Sequence, residues 1–506
     1  MESLVYSRAF STIEIVIALA IISCTVGSMA LISYEGQSIL LSGTMHNQAI
    51  VHAETMLENA QVAAHADERS LANLATSSDG VFTSTLTIGD SSYDPYAVRL
   101  ATTKVSWSDR GGALQTVTMV SALTDYMNAL SYDTCGALGG NWAHASINNH
   151  KISIGDLLPP TQPAGHTYST SNPVTSVDVY RGIMSIAVGT TSNKLNDSFF
   201  VVDVQDPNNW IYKGGIDTNS SSIDGLENIA SNGSYVFAAN GHAANFKTCH
   251  TSASCAQLQV LAITNPVNPT VVANFTIPTS STPFLNGSGG QAVGKTIILI
   301  GGYVYLGLTK SAGGPEFNII DVHDPLHPRW VGGYVVGAGV SDIDVRRGYA
   351  YIATDSSTHE LLILDVNDPT NPTLVSQYNV YDNKGWGNGS SVNVIGTTTY
   401  LGLTFAAGAP DLYTLNTIDR STPMVISTAT ASSSIIGMIV RPQYAFLLTT
   451  TGQSLQVDSD LLQIAPHRVA TIALPGNGRA IDCEQNTLYV GSSASGGFIS
   501  DIHAGL

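Results

Sequence analysis

Leu361-Leu362-Ile363-Leu364-Asp365-Val366-Asn367-Asp368-Pro369 is the clearest copy of a pattern that this chain repeats from about residue 174 onward. The same run stands at Phe199-Phe200-Val201-Val202-Asp203-Val204-Gln205-Asp206-Pro207. It returns at Leu258-Gln259-Val260-Leu261-Ala262-Ile263-Thr264-Asn265-Pro266 and at Phe317-Asn318-Ile319-Ile320-Asp321-Val322-His323-Asp324-Pro325. Weaker versions occupy Leu412-Tyr413-Thr414-Leu415-Asn416 and the stretch from Leu455 to Ile464. A short continuous apolar run closed by turn residues reads as a strand buried on both faces. Pro ends the ladder because it offers no N–H and restrains the residue before it. Ahead of the copies stand aromatic-apolar segments such as Tyr235-Val236-Phe237, Tyr303-Val304-Tyr305-Leu306, Tyr349-Ala350-Tyr351-Ile352 and Tyr444-Ala445-Phe446, which read as partner strands.

Repeats of about 40–50 residues with several short strands each suit four-stranded blades. Such a sheet has two apolar faces, so it must stack on copies of itself around an axis. The motif resembles LVIVD repeats, which form blades of β-propellers. Blade starts near Thr175, Ile223, Ala292, Val340, Ser391, Ile435 and Gly478 predict about seven blades. The last has no room for a fourth strand before Leu506, so a strand such as Lys151-Ile152-Ser153-Ile154 is expected to close the ring. Asp203, Asp321 and Asp365, followed by Pro207, Pro325 and Pro369, occupy equivalent positions, which predicts a structural hydrogen-bonding role rather than catalysis.

The other end of the chain is different. From Ile15 to Tyr34 no residue is charged, while Glu14 heads the run. At 1.5 Å per residue the run is about 30 Å long, enough to cross a hydrocarbon core. A carboxylate in such a helix is costly and implies a partner. Met45, Ala49, His52, Ala53, Met56, Leu57 and Ala60 then recur at helical spacing, with Glu54 and Glu58 opposite. Period-two segments follow at 81–88, 97–100, 103–107 and 116–120, with a turn at Asp109-Arg110-Gly111-Gly112. Arg8-Ala9/Phe10-Ser11-Thr12-Ile13-Glu14 resembles the leader junction of type IV prepilins, although that family usually has Gly where Ala9 stands. The resemblance implies that a prepilin peptidase cuts between Ala9 and Phe10 and methylates the Phe10 amine. It also implies that Glu14 docks against the amino terminus of a neighbouring subunit.

Expected, then, is a multi-domain chain. Residues 1–9 form a leader, 10–60 a long α-helix that spans the membrane and then becomes amphipathic, and 61–130 a small antiparallel β head, together an α+β pilin unit. Residues 131–173 form a connector rich in Gly, Pro and Asn, and 174–506 the all-β propeller.

Composition narrows the function. The 506 residues carry a formal charge of −18, and only 11% are charged, which argues against a nucleic-acid partner. Gly289-Gly290-Gln291-Ala292-Val293-Gly294-Lys295-Thr296 matches a phosphate loop in letters, but the sequence after it reads as a β-hairpin rather than a helix. No His-Glu-x-x-His, Gly-x-Ser-x-Gly or calcium-loop motif occurs, so no cofactor and no enzyme activity is expected. Cys249 and Cys255 flank a short polar loop and are able to bridge; with His250 they form an incomplete metal set. Cys135 and Cys483 are left over, their pairing open. Histidines 242, 250, 323, 327 and 359 fall near loops, where a propeller face is able to gather some of them.

The leading expectation is a minor pilin-like subunit at a pilus tip or initiation complex, presenting the propeller for adhesion or recognition. Its partners would be the peptidase, other pilin subunits and their assembly machine, the inner membrane before assembly, and an extracellular glycan, protein or surface. The alternatives are a structural pseudopilin of a secretion or uptake machine whose propeller binds cargo or another minor subunit, and an enzyme acting at the propeller face.

Overall fold

The computed structural model describes residues 23, 45–60, 76–78, 81–90, 98–108, 112–124, 135, 138–153, 156–159, 173–189, 197–218, 225–241, 256–277, 292–311, 314–380, 387–431, 433–441, 443–450, 454–459, 466–493 and 497–505. Two compact units divide the chain: Met1–Asp94 with Val98–Thr124, and Pro95–Ala97 with Asp125–Leu506.

In the first unit a helix over residues 45–60 packs on an antiparallel meander of Thr76–Ser78, Thr83–Asp90, Val98–Ser108 and Leu114–Thr124. Its core follows the three- and four-residue spacing. Ala49 and Ala53 meet Phe82, Val105 and Trp107, and Leu57 and Ala60 meet Leu86 and Ala101. Alanines at the contact let the helix approach the sheet closely. The His52 ring lies 5.0 Å from that of Phe82, while Glu54 and Glu58 face solvent.

Two expectations are corrected here. The expected fold class, with its long N-terminal helix, is corrected: among the described residues the chain is nearly all β, with one short helix over 45–60 and Ser23 also helical, and no long helix is among them. No helix among the described residues is long and apolar enough to cross a membrane, so the expected anchoring of an inner-membrane precursor is not supported. The physical reason is that the described helix is amphipathic and its apolar side is covered by the sheet. Ala9, Phe10, Glu14 and the apolar run from Ile15 to Tyr34, Ser23 excepted, lie outside the described residues.

The second unit holds seven four-stranded antiparallel sheets. Their first strands are Val174–Tyr180, Leu226–Ser231, Gly294–Ile300, Val340–Arg346, Gly389–Ile395, Ile435–Val440 and Gly478–Glu484, opening blades 1 to 7 in that order. First strands of successive blades pack side by side, and that of blade 7 packs on that of blade 1, so they form the inner ring of a closed propeller. Each repeat motif is the third strand of its blade. In blades 1 to 5 four buried residues precede a half-buried fifth, Asp203, Ala262, Asp321, Asp365 and Asn416 in turn. A strand with neighbours above and below needs such an unbroken apolar run. Tight hairpins join first and second strands. At Arg347-Gly348 both residues have positive φ, 51° and 73°, the backbone of a two-residue primed turn.

The ring closes on blade 7, whose fourth strand comes from ahead of blade 1. Asn141–Lys151 pairs antiparallel with Phe498–Gly505, placing Lys151 opposite Phe498 and Asn148 opposite Asp501. This strand lies upstream of the expected 151–154, inside the segment read as connector, because the chain bends at Ile152-Ser153. Trp142 fixes it. The ring is fully buried 4.6 Å from Phe446, and Nε1 donates to the Leu138 carbonyl at 2.7 Å. A disulfide joins Cys135 to Cys483 on the inner strand of blade 7, with Cα atoms 5.0 Å apart across a sequence separation of 348. Cys249 and Cys255 lie outside the described residues.

A cross-link over so long a loop restricts the unfolded chain strongly. Replacing both Cys135 and Cys483 by Ser, or reducing the bond, is expected to lower the unfolding free energy by about 2–5 kcal/mol. The guanidinium midpoint with and without dithiothreitol measures it. An unchanged midpoint would mean that strand pairing alone secures the seam.

Candidate ligand site at the propeller axis

The seven inner strands enclose a cavity of about 680 Å³ on the propeller axis. All seven run in one direction, since each opens its blade, so their first residues ring one mouth and their last residues the other. Cys135, bonded to Cys483 near the end of its strand, sits at the second mouth.

An inner strand pairs along one edge only. Register leaves alternate N–H groups pointing away from the second strand, and these need acceptors. Side chains of the preceding blade supply them. Ser176 Oγ accepts from Ile229 N–H at 3.2 Å, and the Asp178 carboxylate accepts from Ser231 N–H at 3.2 Å. Asn228 accepts from Ile297 N–H at 3.1 Å. Asp342 accepts from Val392 N–H at 2.9 Å, and Asp344 from Val394 N–H at 2.7 Å. Across the seam Asp482 accepts from Val179 N–H at 2.6 Å. At these four junctions the third or fifth residue of a strand thus clips the fourth or sixth of the next.

Burial pushes the Asp178 carboxyl up to about 7, opposed by the Ser231 N–H and assisted by the nearby Glu484 charge. Burial likewise pushes Asp342 up to about 6, against the Val392 and Ser391 donors and with help from Asp344. Elevated carboxyls in a cavity are candidate acid–base groups, but here each holds the next blade together, and the shift follows from that position.

A second feature repeats seven times. In every blade the register slips between the first and third residues of the inner strand, so the second residue is bulged out of the pairing. These residues are Thr175, Glu227, Lys295, Ser341, Ser390, Ile436 and Arg479, and all line the cavity at the first mouth. A bulge re-aims the side chain it carries. Thr175 donates to the Leu226 carbonyl at 2.5 Å, and Ser390 donates to the Gly402 carbonyl at 3.0 Å and to the Ile435 carbonyl. Lys295 and Glu227 approach to 3.9 Å, with side chains 49% and 39% exposed.

The residues singled out from sequence lie elsewhere. Asp203, Asp321 and Asp365 accept from the N–H groups of Gln205, His323 and Asn367 at 3.1, 3.0 and 2.9 Å, shaping the turn after each third strand. Pro207, Pro325 and Pro369 continue those turns, and neither set lines the cavity. His323 and His327 pair with Asp321 and Asp324 of their own turns, at 2.7 and 2.8 Å. His359 contacts Ser356 and Thr358, and His242 and His250 lie outside the described residues. The described group able to gather around a metal is Cys135, Asp482 and Cys483, whose sulfurs are bonded to each other. Lys295 and Thr296 of the phosphate-loop lettering stand on the inner strand Gly294–Ile300, not at a helix start. The clip residues Asp178, Asp344 and Asp482 were readable as an acid between two apolar residues in Val177-Asp178-Val179, Ile343-Asp344-Val345 and Ile481-Asp482-Cys483.

Because folding raises the Asp178 carboxyl, the folded state keeps a proton that the unfolded chain releases between about pH 4 and pH 7. Stability therefore falls as pH rises through that window. Asp178→Asn retains an acceptor for Ser231 and is expected to flatten this part of the profile and raise the unfolding midpoint at pH 8. Denaturant titrations from pH 4 to pH 8 decide the matter; a slope equal to wild type would remove Asp178 as its source.

Residues 337–380 match the LVIVD repeat. No curated protein matches the chain. Among solved structures, the chain is similar to a beta-propeller domain from Myceliophteria thermophila at 10% identity and TM-score 0.45, covering 66% of this chain and 97% of that one. It is also similar to a periplasmic gluconolactonase of Pseudomonas aeruginosa, at 10% identity and TM-score 0.46 over 77% and 96% of the two chains. A putative 6-phosphogluconolactonase from Bacteroides fragilis matches at 9% identity and TM-score 0.46, over 79% and 97%. What the match to residues 337–380 and the seven closed sheets establish together is an LVIVD repeat within a β-propeller.

Proposed function

We propose that this chain is a minor pilin-like subunit whose propeller serves as a recognition module, taking its ligand at the axial cavity. The observation that carries the recognition half is the cavity itself, about 680 Å³ and lined by the inner strands of all seven blades. That volume is in the range of small-ligand sites, roughly 300–1,000 Å³. The mouth ringed by bulged side chains lies opposite the one at which Cys135 is bonded to Cys483. Asp178, Asp342, Asp344 and Asp482 of the cavity are engaged by backbone N–H groups, which favours binding over acid–base chemistry.

The pilin half is supported by the frame from Ala9 to Glu14 and by the helix over 45–60 packed on an antiparallel meander. Glu14 would pair with the amino terminus of Phe10 on a neighbouring subunit, and the prepilin peptidase would expose that terminus. A propeller on every subunit would crowd a thin fibre, so a tip or initiation position fits best.

Glu14→Gln is expected to reduce the amount of the chain in sheared filaments at least tenfold while leaving its total level unchanged. Immunoblots of the sheared and cellular fractions measure both. Incorporation equal to wild type would end the pilin reading and leave the propeller reading standing.

A further inference from the structure

The axial cavity carries more than the fact of binding, because its rim has a defined pattern of donors and acceptors. Arg479, exposed at the mouth on blade 7, has no ion pair among the described residues. Its neighbours on the ring are Thr175 of blade 1 and Ile436 of blade 6, neither of them charged. On blades 2 and 3, Glu227 and Lys295 offset one another at 3.9 Å. The uncompensated charge on the bulge ring is therefore a guanidinium, whose planar fork matches a carboxylate.

The rest of the ring wants the opposite kind of partner. Thr175 and Ser390 direct their hydroxyl hydrogens to backbone carbonyls, which leaves their oxygen lone pairs as acceptors. Glu227 is an acceptor as well. Such a rim is satisfied by a ligand that donates several O–H groups. No aromatic side chain lines the cavity among the described residues, so a flat base or ring has no stacking platform there.

We infer that the mouth binds a small polyhydroxylated carboxylate, of the kind presented by a uronic acid residue of an acidic glycan. Arg479 holds the carboxylate, and Glu227 with the ring hydroxyls accepts from the sugar hydroxyls. This rests on the recognition reading above and gives that reading a ligand class.

The test uses the full chain and three probes in isothermal titration calorimetry: glucuronate, glucose and acetate. Glucuronate is expected to bind one to one and at least tenfold more tightly than glucose, which lacks the anion, or acetate, which lacks the hydroxyls. Arg479→Gln is expected to weaken glucuronate at least tenfold, with Arg479→Lys intermediate and the unfolding midpoints of both equal to wild type. Absence of glucuronate binding to the wild-type chain overturns the inference, as does acetate binding as tightly as glucuronate or an affinity unchanged by Arg479→Gln. A glycan array run in parallel separates the two claims. Binding there that Arg479→Gln leaves intact sinks the axial site but keeps the recognition module, whereas an array without any binding removes both.

Discussion

The inner edge of each blade sets the terms for the whole propeller. A first strand has a partner on one side only, and its remaining N–H groups point away from that partner and need acceptors. An unsatisfied buried N–H costs about 1–3 kcal/mol, and a ring of seven such strands multiplies the demand. The chain meets it between blades, not within them. Ser176, Asp178, Asn228, Asp342, Asp344 and Asp482 each accept from the blade that follows. Blade order and ring closure are thereby coupled to backbone satisfaction. The seam between blades 7 and 1 uses the same device as the junctions of blades 1 with 2, 2 with 3 and 4 with 5, through Asp482 and Val179.

That seam is secured at its outer rim as well. Asp501, 1% exposed, takes hydrogen bonds from Asn148 at 3.0 Å and from the imidazoles of His150 and His503 at 2.8 and 2.9 Å. Burial works to raise its carboxyl, but the bonds from His150, Asn148 and His503 outweigh burial and hold it below the ordinary carboxylate range. The His150 ring stacks at 3.8 Å on Trp210 of blade 1. The closing strand therefore reaches both blades of the seam, and Cys135 adds a covalent tie at the inner strand.

The blades were legible because the third strand is apolar on both faces and ends in the same turn each time. Leu361 to Pro369 contains the apolar run, the acid and the terminator in nine letters, and neighbouring copies repeat them. Asp365 stands in that run, and its carboxylate accepts from the Asn367 N–H in the turn. The closing strand was harder to read. Asn141–Lys151 is an outer strand whose mostly exposed residues alternate weakly, so it has the composition of a linker. The fifth-residue clips Asp178, Asp344 and Asp482 share a readable pattern, whereas the third-residue clips were hidden because they differ from blade to blade. Ser176, Asn228 and Asp342 share one position but not one residue type. At the N-terminal end, helical periodicity identified the packed face of 45–60. Sequence gave no measure of how much of that helix would be amphipathic surface covered by a sheet.

The bulge ring turns this contrast into an argument about function. The turn position after the third strand carries Asp203, Asp321 and Asp365 in three of the first five blades, with Ala262 and Asn416 in the other two. The second residue of the inner strand behaves otherwise. Its geometry recurs in all seven blades, yet it carries Thr175, Glu227, Lys295, Ser341, Ser390, Ile436 and Arg479. A bulge requires no particular side chain; Thr175 and Ser390 bond the next blade's backbone, and the fold leaves the other choices free. What they share is the space they face. The clips take the N–H groups of Val179, Ile229, Ser231, Ile297, Val392 and Val394, and the rim side chains add their own groups to what the channel offers a ligand. A closed ring of identical blades would present a symmetric, featureless mouth. This one has a guanidinium on blade 7, a carboxylate and an ammonium on blades 2 and 3, and hydroxyls between, which is the asymmetry that orienting a single small molecule requires.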